Sequence, residues 1–253
     1  MTRRARLLLC VLAAACLLPA CLHVALHMPP FGAHPLPYGE AINALATRQR
    51  HVTNMVSAVN FDYRGLDTLG EEFMLLGAVT GTAVLLRGSR GEQLTARPGR
   101  VGNRPVAPRS DAVVLICRAL AALTVLFGVY VVLHAMTTPG GGFQGGAIIA
   151  AATALIFLGE GYRGWRRIMR TGLLDAAEGG GAALYALCGF AAMAAGWPFL
   201  HNFLPLGTPR DVFSGGLMQI ENAGVGFAVA GGFAVLFVEF LEETRAERDG
   251  DGA

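Results

Sequence analysis

Four acids and an arginine crowd one short stretch, Val59-Asn60-Phe61-Asp62-Tyr63-Arg64-Gly65-Leu66-Asp67-Thr68-Leu69-Gly70-Glu71-Glu72, just ahead of a long apolar run. Asp67 and Glu71 are four residues apart and share a face once a helix has begun. Acids at a helix start are favoured by the macrodipole and by water, which is the plainest reading of the group. A second candidate, Glu221, stands about two turns inside the last apolar run between Gln219 and Asn222. An ionisable group at that depth is costly and is by default a functional candidate. Arg118 lies nearer the opposite end of its own run, so the charge of Glu221 requires a partner in another subunit or a bound proton. Glu160, beside Arg163, reads as a marker of the membrane interface. A third candidate is Gly140-x-Gly142-x-x-Gly145, the spacing that cradles phosphate in dinucleotide-binding loops.

The elements that must position these residues follow from composition. Only 15% of the 253 residues are charged and 53% are apolar, against about a quarter charged in a soluble domain, so the expected solvent is a bilayer. Runs near the roughly 20 residues needed to cross hydrocarbon fall at 6–27, 69–86, 112–134, 144–162, 181–201 and 214–240. Six helices sort the charges well: fifteen of the twenty arginines then fall on the side of the N-terminus, as arginine does in short cytoplasmic segments. Both termini are therefore expected in the cytoplasm. Leu18-Pro19-Ala20-Cys21 also resembles a lipoprotein signal, although the apolar run continues past Cys21 to Met28. Residues 88–110, rich in Gly, Pro and Arg, read as a flexible linker. It separates a two-helix part (1–87) from a four-helix part (111–245) followed by a polar tail (246–253). The net charge of +2 gives no reason to expect nucleic acid. The five cysteines lie in apolar runs without metal-ligand spacing, so neither a metal nor a cofactor is expected.

The phosphate-loop reading fails on context. It needs a strand before the glycines, whereas an apolar helix ending near His134 precedes them and the topology puts them outside. Thr137-Thr138-Pro139-Gly140-Gly141-Gly142 suits a turn, and Gly145, Gly146 and the following alanines give a small-residue face for a neighbouring helix. The pattern T-P-x-x-x-F-x-G-G occurs twice, at Thr138–Gly146 and Thr208–Gly216. We therefore expect the last four helices to form two repeated hairpins, with both turns at the same side. The first turn is expected to pack on a partner subunit, and 209–216 to be freer.

His134, Thr138, Pro139, Gly140, Gly141, Gly142, Phe143, Gln144, Gly145 and Gly146, followed by an alanine-rich helix, resemble the MnhB-like family of Mrp-type multisubunit monovalent cation/proton antiporters. Asn222-Ala-Gly-Val-Gly226 adds to the likeness. The stretch D-x-R-G-x-D-T-L-G-E from Asp62 to Glu71 is similar to the C-terminal, MbhE-like region of the large subunit of the same antiporters. Glu72, Phe61 and Tyr63 depart from that pattern. The resemblance implies an all-α polytopic protein of the bacterial plasma membrane that joins the two regions in one chain. It would be a transporter subunit rather than an enzyme, working with other antiporter subunits in membrane lipid to exchange Na+ or another monovalent cation for H+. Asp62, Asp67, Glu71 and Glu221 are then ion-path candidates, and Pro139–Gly146 a turn that holds the subunit interface. Two alternatives stand beside it: the equivalent subunit of a membrane-bound hydrogenase or complex I-related assembly, and a purely structural or assembly subunit.

Overall fold

The structure is a computed structural model and describes residues 3–28, 37–96 and 110–250. Most of the expected linker, with Arg97, Arg100, Arg104 and Arg109, and the end of the tail at 251–253 lie outside the described residues. In chain order α1 is Arg3–Leu26, α2 Pro37–Arg50, α3 Met55–Ala58, α4 Gly65–Ala96, α5 Asp111–Leu133, α6 Gly142–Ile168, α7 Thr171–Ala194 and α8 Leu217–Gly250. A π-helical turn, Val59–Tyr63, lies between α3 and α4. Segments long and apolar enough to span a bilayer are Gly65–Arg87, Asp111–Leu133, Gly142–Gly161 and Leu217–Glu242, with a shorter apolar stretch at Val11–Leu26. The chain is an all-α polytopic membrane protein.

The helices depart from the expected runs in instructive places. The fifth run, read as 181–201, is a helix that begins ten residues earlier and stops at Ala194, because its first turns carry Asp175 and Glu178 and dilute the hydropathy. The α4 helix continues to Ala96, into the stretch read as linker. Neither α2 nor the π turn has the apolar periodicity that announces a helix, and both escaped the sequence reading.

By compactness the chain divides into Met1–Ala41 and Ile42–Ala253. In the first unit, α1 runs unbroken past Cys21 with Pro19 inside it and with Leu17, Leu18 and Leu22 exposed. In the second unit α8 is central: 61% of its apolar window is buried, against 11% for α5 at the rim. The α5/α6 and α7/α8 pairs are the two expected hairpins, and α4 packs along α8 and α7. Thus α4 belongs to the same body as the last four helices, whatever the covalent linker does.

The two Thr-Pro turns do lie at one end of the bundle, called here the loop end: a Cβ on Gly215 would come within 3.1 Å of Met136 Sδ and 2.9 Å of Val52 Cγ1. One offset does not map the hairpins onto each other, however. The α5 and α7 helices start at Asp111 and Thr171, whereas α6 and α8 start at Gly142 and Leu217, so the second connection is much the longer. The second turn leaves Pro209, Arg210, Asp211 and Phe213 exposed, while Ser214 is wholly buried and Gly216 packs on Asn202.

Two asparagines close the loop end in the same manner. Asn202 Oδ1 accepts from Leu217 N at 2.8 Å, at the start of α8, while its Nδ2 donates to Gly215 O at 2.9 Å. Asn222 Oδ1 accepts from Gly142 N at 2.6 Å, at the start of α6, while its Nδ2 donates to Val132 O at 2.8 Å, at the end of α5. Helix ends leave backbone groups without intrahelical partners, and here a side chain distant in sequence supplies them.

Candidate functional site

The residues 134–141 turn back between α5 and α6, and their carbonyls are met from the N-terminal segment. Thr53 N and Asn54 N donate to Met136 O at 3.0 and 3.2 Å. Asn54 Nδ2 donates to Ala135 O at 2.8 Å and Thr138 O at 2.9 Å, and Ser57 Oγ donates to Ala135 O at 2.7 Å. Buried carbonyls need such partners. The segment leading into the acidic stretch is therefore laced to the turn that carries the glycines.

Between them lies a cavity of about 230 Å3, with Ser57, Phe61, Glu71 and Glu72 on one wall and the Gly140–Gln144 turn on the other. The π turn shapes the first wall. Its closing bond, Arg64 N to Val59 O at 2.8 Å, is the wider i to i+5 pairing, a local distortion that recurs at functional sites. The carbonyl of Asn60 is turned to accept from Thr68 Oγ1 at 2.7 Å, and Tyr185 Oη donates to Gly65 O at 2.8 Å, which fixes α4 on α7.

The four acids proposed from sequence meet four different fates. Asp62 is half-buried and its side chain, 7% exposed, is bound, accepting from Arg50 Nε at 2.6 Å and Asn202 Nδ2 at 3.3 Å. Asp67 is exposed and pairs with Arg64 at 2.5 Å. Glu71 shares the exposed face of α4 with Asp67, as the four-residue spacing implies, and lines the cavity. Glu221 is 1% exposed, and neither carboxylate oxygen has a hydrogen-bond partner among the described residues. Arg118 pairs instead with Glu160, across α5 and α6. Because surface ion pairs are worth about 0–1 kcal/mol, Asp67→Asn is expected to move the thermal midpoint of the purified protein by no more than a degree or two. A larger drop would show that this pair holds the entrance.

Sequence reasoning passed over Glu72 as a departure from pattern and left Glu178 outside the membrane. Both are buried, 3% and 6% exposed, and each has an oxygen without a hydrogen-bond partner among the described residues, Glu72 Oε2 and Glu178 Oε1. Glu178 would have been found had the fifth helix been extended back through Gly179-Gly180-Gly181 to the arginines that end the preceding one.

The glycine run is spent within the chain. A Cβ on Gly142 would sit 2.2 Å from Asn222 O, and one on Gly146 2.7 Å from Gly226 O, so this face of α6 touches the backbone of α8. On the other side, a Cβ on Gly145 would sit 2.6 Å from Gly128 O of α5. The expectation that these glycines pack on a partner subunit is thus corrected: what the turn presents outward is Pro139, Phe143 and Gln144.

A family model described as a domain related to the MnhB subunit of Na+/H+ antiporter matches residues 112–235. An uncharacterized protein of Methanocaldococcus jannaschii is 30% identical over 204 residues, covering 72% of this chain and 75% of that one. The chain belongs to the MnhB family. Among solved structures, the membrane-bound sulfane sulfur reductase (MBS), an archaeal respiratory membrane complex, contains a chain similar to it at a TM-score of 0.69 and 28% identity, over 95% of this chain and 99% of that one. The Mrp complex from Dietzia sp. DQ12-45-1b contains another, at a TM-score of 0.66 and 23% identity, over 94% of this chain but 26% of that longer one, a likeness of fold. The MnhB-matched residues supply the glycine wall of the cavity, while Glu71 and Glu72 come from the segment before them.

Proposed function

We propose that this MnhB-family chain is a subunit of a multisubunit monovalent cation/proton antiporter of the plasma membrane, with both termini in the cytoplasm and the loop end outside. Its N-terminal segment takes the place of the MbhE-like tail of the large antiporter subunit. The observation that carries the reading is the cavity itself, in which the acidic wall from that segment and the glycine turn of the MnhB part make one site. Glu71 stands at its exposed rim and Glu72 at its buried back, an arrangement suited to receiving a cation or proton from outside and passing it inward. Other subunits would dock on the outward side chains of the Pro139–Gln144 turn and on the exposed faces of α5 and α7, where Leu123, Phe127, Leu187 and Phe190 meet lipid or protein.

The test is Na+-driven proton movement in inverted vesicles containing the whole complex. Glu71→Gln, which keeps the shape and removes the charge, is expected to lower exchange about tenfold, a change of roughly 1.4 kcal/mol in barrier, with the complex still assembled on an affinity column. Full exchange in assembled complex would remove Glu71 from the route.

A second reading has its own observation. The MBS chain is matched over nearly its whole length, which favours an equivalent subunit in a respiratory membrane complex. The two readings separate on what co-purifies from the native membrane: further antiporter subunits in the first case, redox subunits in the second.

A further inference from the structure

Four glutamates follow the seam where α4, α7 and α8 meet. Glu221 and Glu239 belong to α8, Glu72 to α4 and Glu178 to α7, and all are at least nine-tenths buried. Along α8, Glu221 and Glu239 are about 27 Å apart at 1.5 Å per residue, close to the roughly 30 Å of a hydrocarbon core. The other two fall between them. Tyr185, which is bonded to the first turn of α4, stands within electrostatic reach of both Glu221 and Glu72 near the loop end. Glu178 is lower: a Cβ on Gly232 would lie 3.5 Å from Glu178 Oε1 and 3.2 Å from Val79 Cγ2, so the three helices meet there. Glu72 is two turns above Val79 on α4, and Gly232 two turns above Glu239 on α8, about 10 Å each. At the far end Glu239 accepts from Arg87 Nε at 2.7 Å, and Arg87 also reaches Asp175 at 3.8 Å.

From this juxtaposition we infer that the α4–α7–α8 seam carries protons between the cavity and the Arg87 end, through Glu72, Glu178 and Glu239, with Glu221 as a second member at the loop end. The inference rests on the antiporter reading and names which of the two ions this chain conducts. Two observations beyond the acids themselves support it. Glu72 and Glu178 each hold a buried oxygen that no group among the described residues satisfies, Glu72 does so facing the cavity, and both oxygens of Glu221 are in the same state. A buried carboxylate without a partner is sustained only as the neutral acid or beside a cation. The second observation is the spacing. No group of three or more His, Cys, Asp or Glu side chains able to hold a metal ion occurs among the described residues, and carboxyl groups at most paired, with about 10 Å along the helix axes between successive path members, cannot build the oxygen cage a bare cation requires. They can relay a proton. At each step one carboxylic O–H bond breaks and one forms on the next carboxylate by way of water, no electrons change hands, and each glutamate returns to its starting state. A proton reaching Glu239 neutralises it, leaving Arg87 with Asp175 as its partner. The charged and titratable groups facing the path include Glu71 beside Glu72, Asp175 beside Glu178, Asp62, Tyr185 and Cys188 beside Glu221, and Arg87 with Glu242 beside Glu239.

Glu178→Gln and Glu72→Gln, made separately in the whole complex, test it. Each is expected to cut Na+-driven proton movement in vesicles by at least tenfold while the subunits still co-purify. Glu160→Gln, on the far side at α5 and α6, is expected to leave the rate unchanged. Wild-type rates in both seam variants, or an equal loss in Glu160→Gln, overturn the path. Infrared spectra in H2O and D2O supply an arm independent of transport: one exchangeable carboxylic-acid C=O band is expected to vanish in each seam variant, and spectra unchanged from wild type in both overturn the inference. If the wild-type complex exchanges no ions at all, the antiporter reading falls, and the infrared arm alone decides the seam.

Discussion

Gly142→Ala is expected to prevent the chain from assembling. The added methyl would lie 2.2 Å from Asn222 O, 2.7 Å from Gly226 N and 2.9 Å from Val225 Cβ. Two of these three are backbone atoms of α8, so no side chain can turn aside, and relief requires the two helices to part. Overpacking of a close-packed core costs about 1–3 kcal/mol, and more where backbone must move. Parting them also strains the bond from Gly142 N to Asn222 Oδ1. The measurement is the amount of chain recovered in detergent as a monodisperse complex and its unfolding midpoint. The control is Gly70→Ala or Gly77→Ala, both on α4 where a Cβ meets nothing within 4 Å among the described residues. These should be neutral or slightly stabilising, because alanine outranks glycine in a helix interior by about 1 kcal/mol. Equal yields from Gly142→Ala and Gly70→Ala would show that the α6–α8 approach is not as close as described.

The second large effect is expected at Asn222. Its amide uses both ends, accepting from the first N–H of α6 and donating to the last turn of α5. Asn222→Ala orphans the buried N–H of Gly142, at about 1–3 kcal/mol, and leaves Val132 O with the longer bond from Ala135 N at 3.3 Å. The two halves can be told apart. Asn222→Asp keeps the acceptor for Gly142 N but sets a carboxylate against Val132 O, and should be worse than the loss of one hydrogen bond because a buried charge then lacks a partner. Asn222→Ala at wild-type stability, in a denaturation series followed by helix content, would remove the asparagine from its bridging role.

These residues also show where sequence reading stops. The Pro139–Gly146 run was legible as a turn and not a phosphate loop, because what precedes and follows it is apolar for a helix length. Its neighbours were not legible, since the surfaces against Gly142 and Gly145 come from Asn222 and Gly128, and no local pattern pairs them. Asp67 and Glu71 were rightly placed on one helix face, a matter of spacing alone. Asp62, in the π turn at Val59–Tyr63, is held by Arg50 and Asn202, a placement that no local pattern announces. Glu178 was lost to hydropathy averaging, which drops a helix segment wherever acids and glycines coincide. Buried acids are what a functional seam requires, so the averaging fails at the very place where function is expected.

The bridge made by Asn222 has a consequence for how the protein comes into being. The ribosome delivers the α5–α6 hairpin well before α8, so when that hairpin first enters the bilayer its capping amide does not yet exist. The same holds for Asn54 and Ser57, which are made early but find their carbonyl partners some 80 residues later. The loop end therefore closes only once the last helix is inserted, and a chain truncated before Asn222 would leave the insertion machinery with an open corner and exposed backbone, a mark that membrane quality control can recognise.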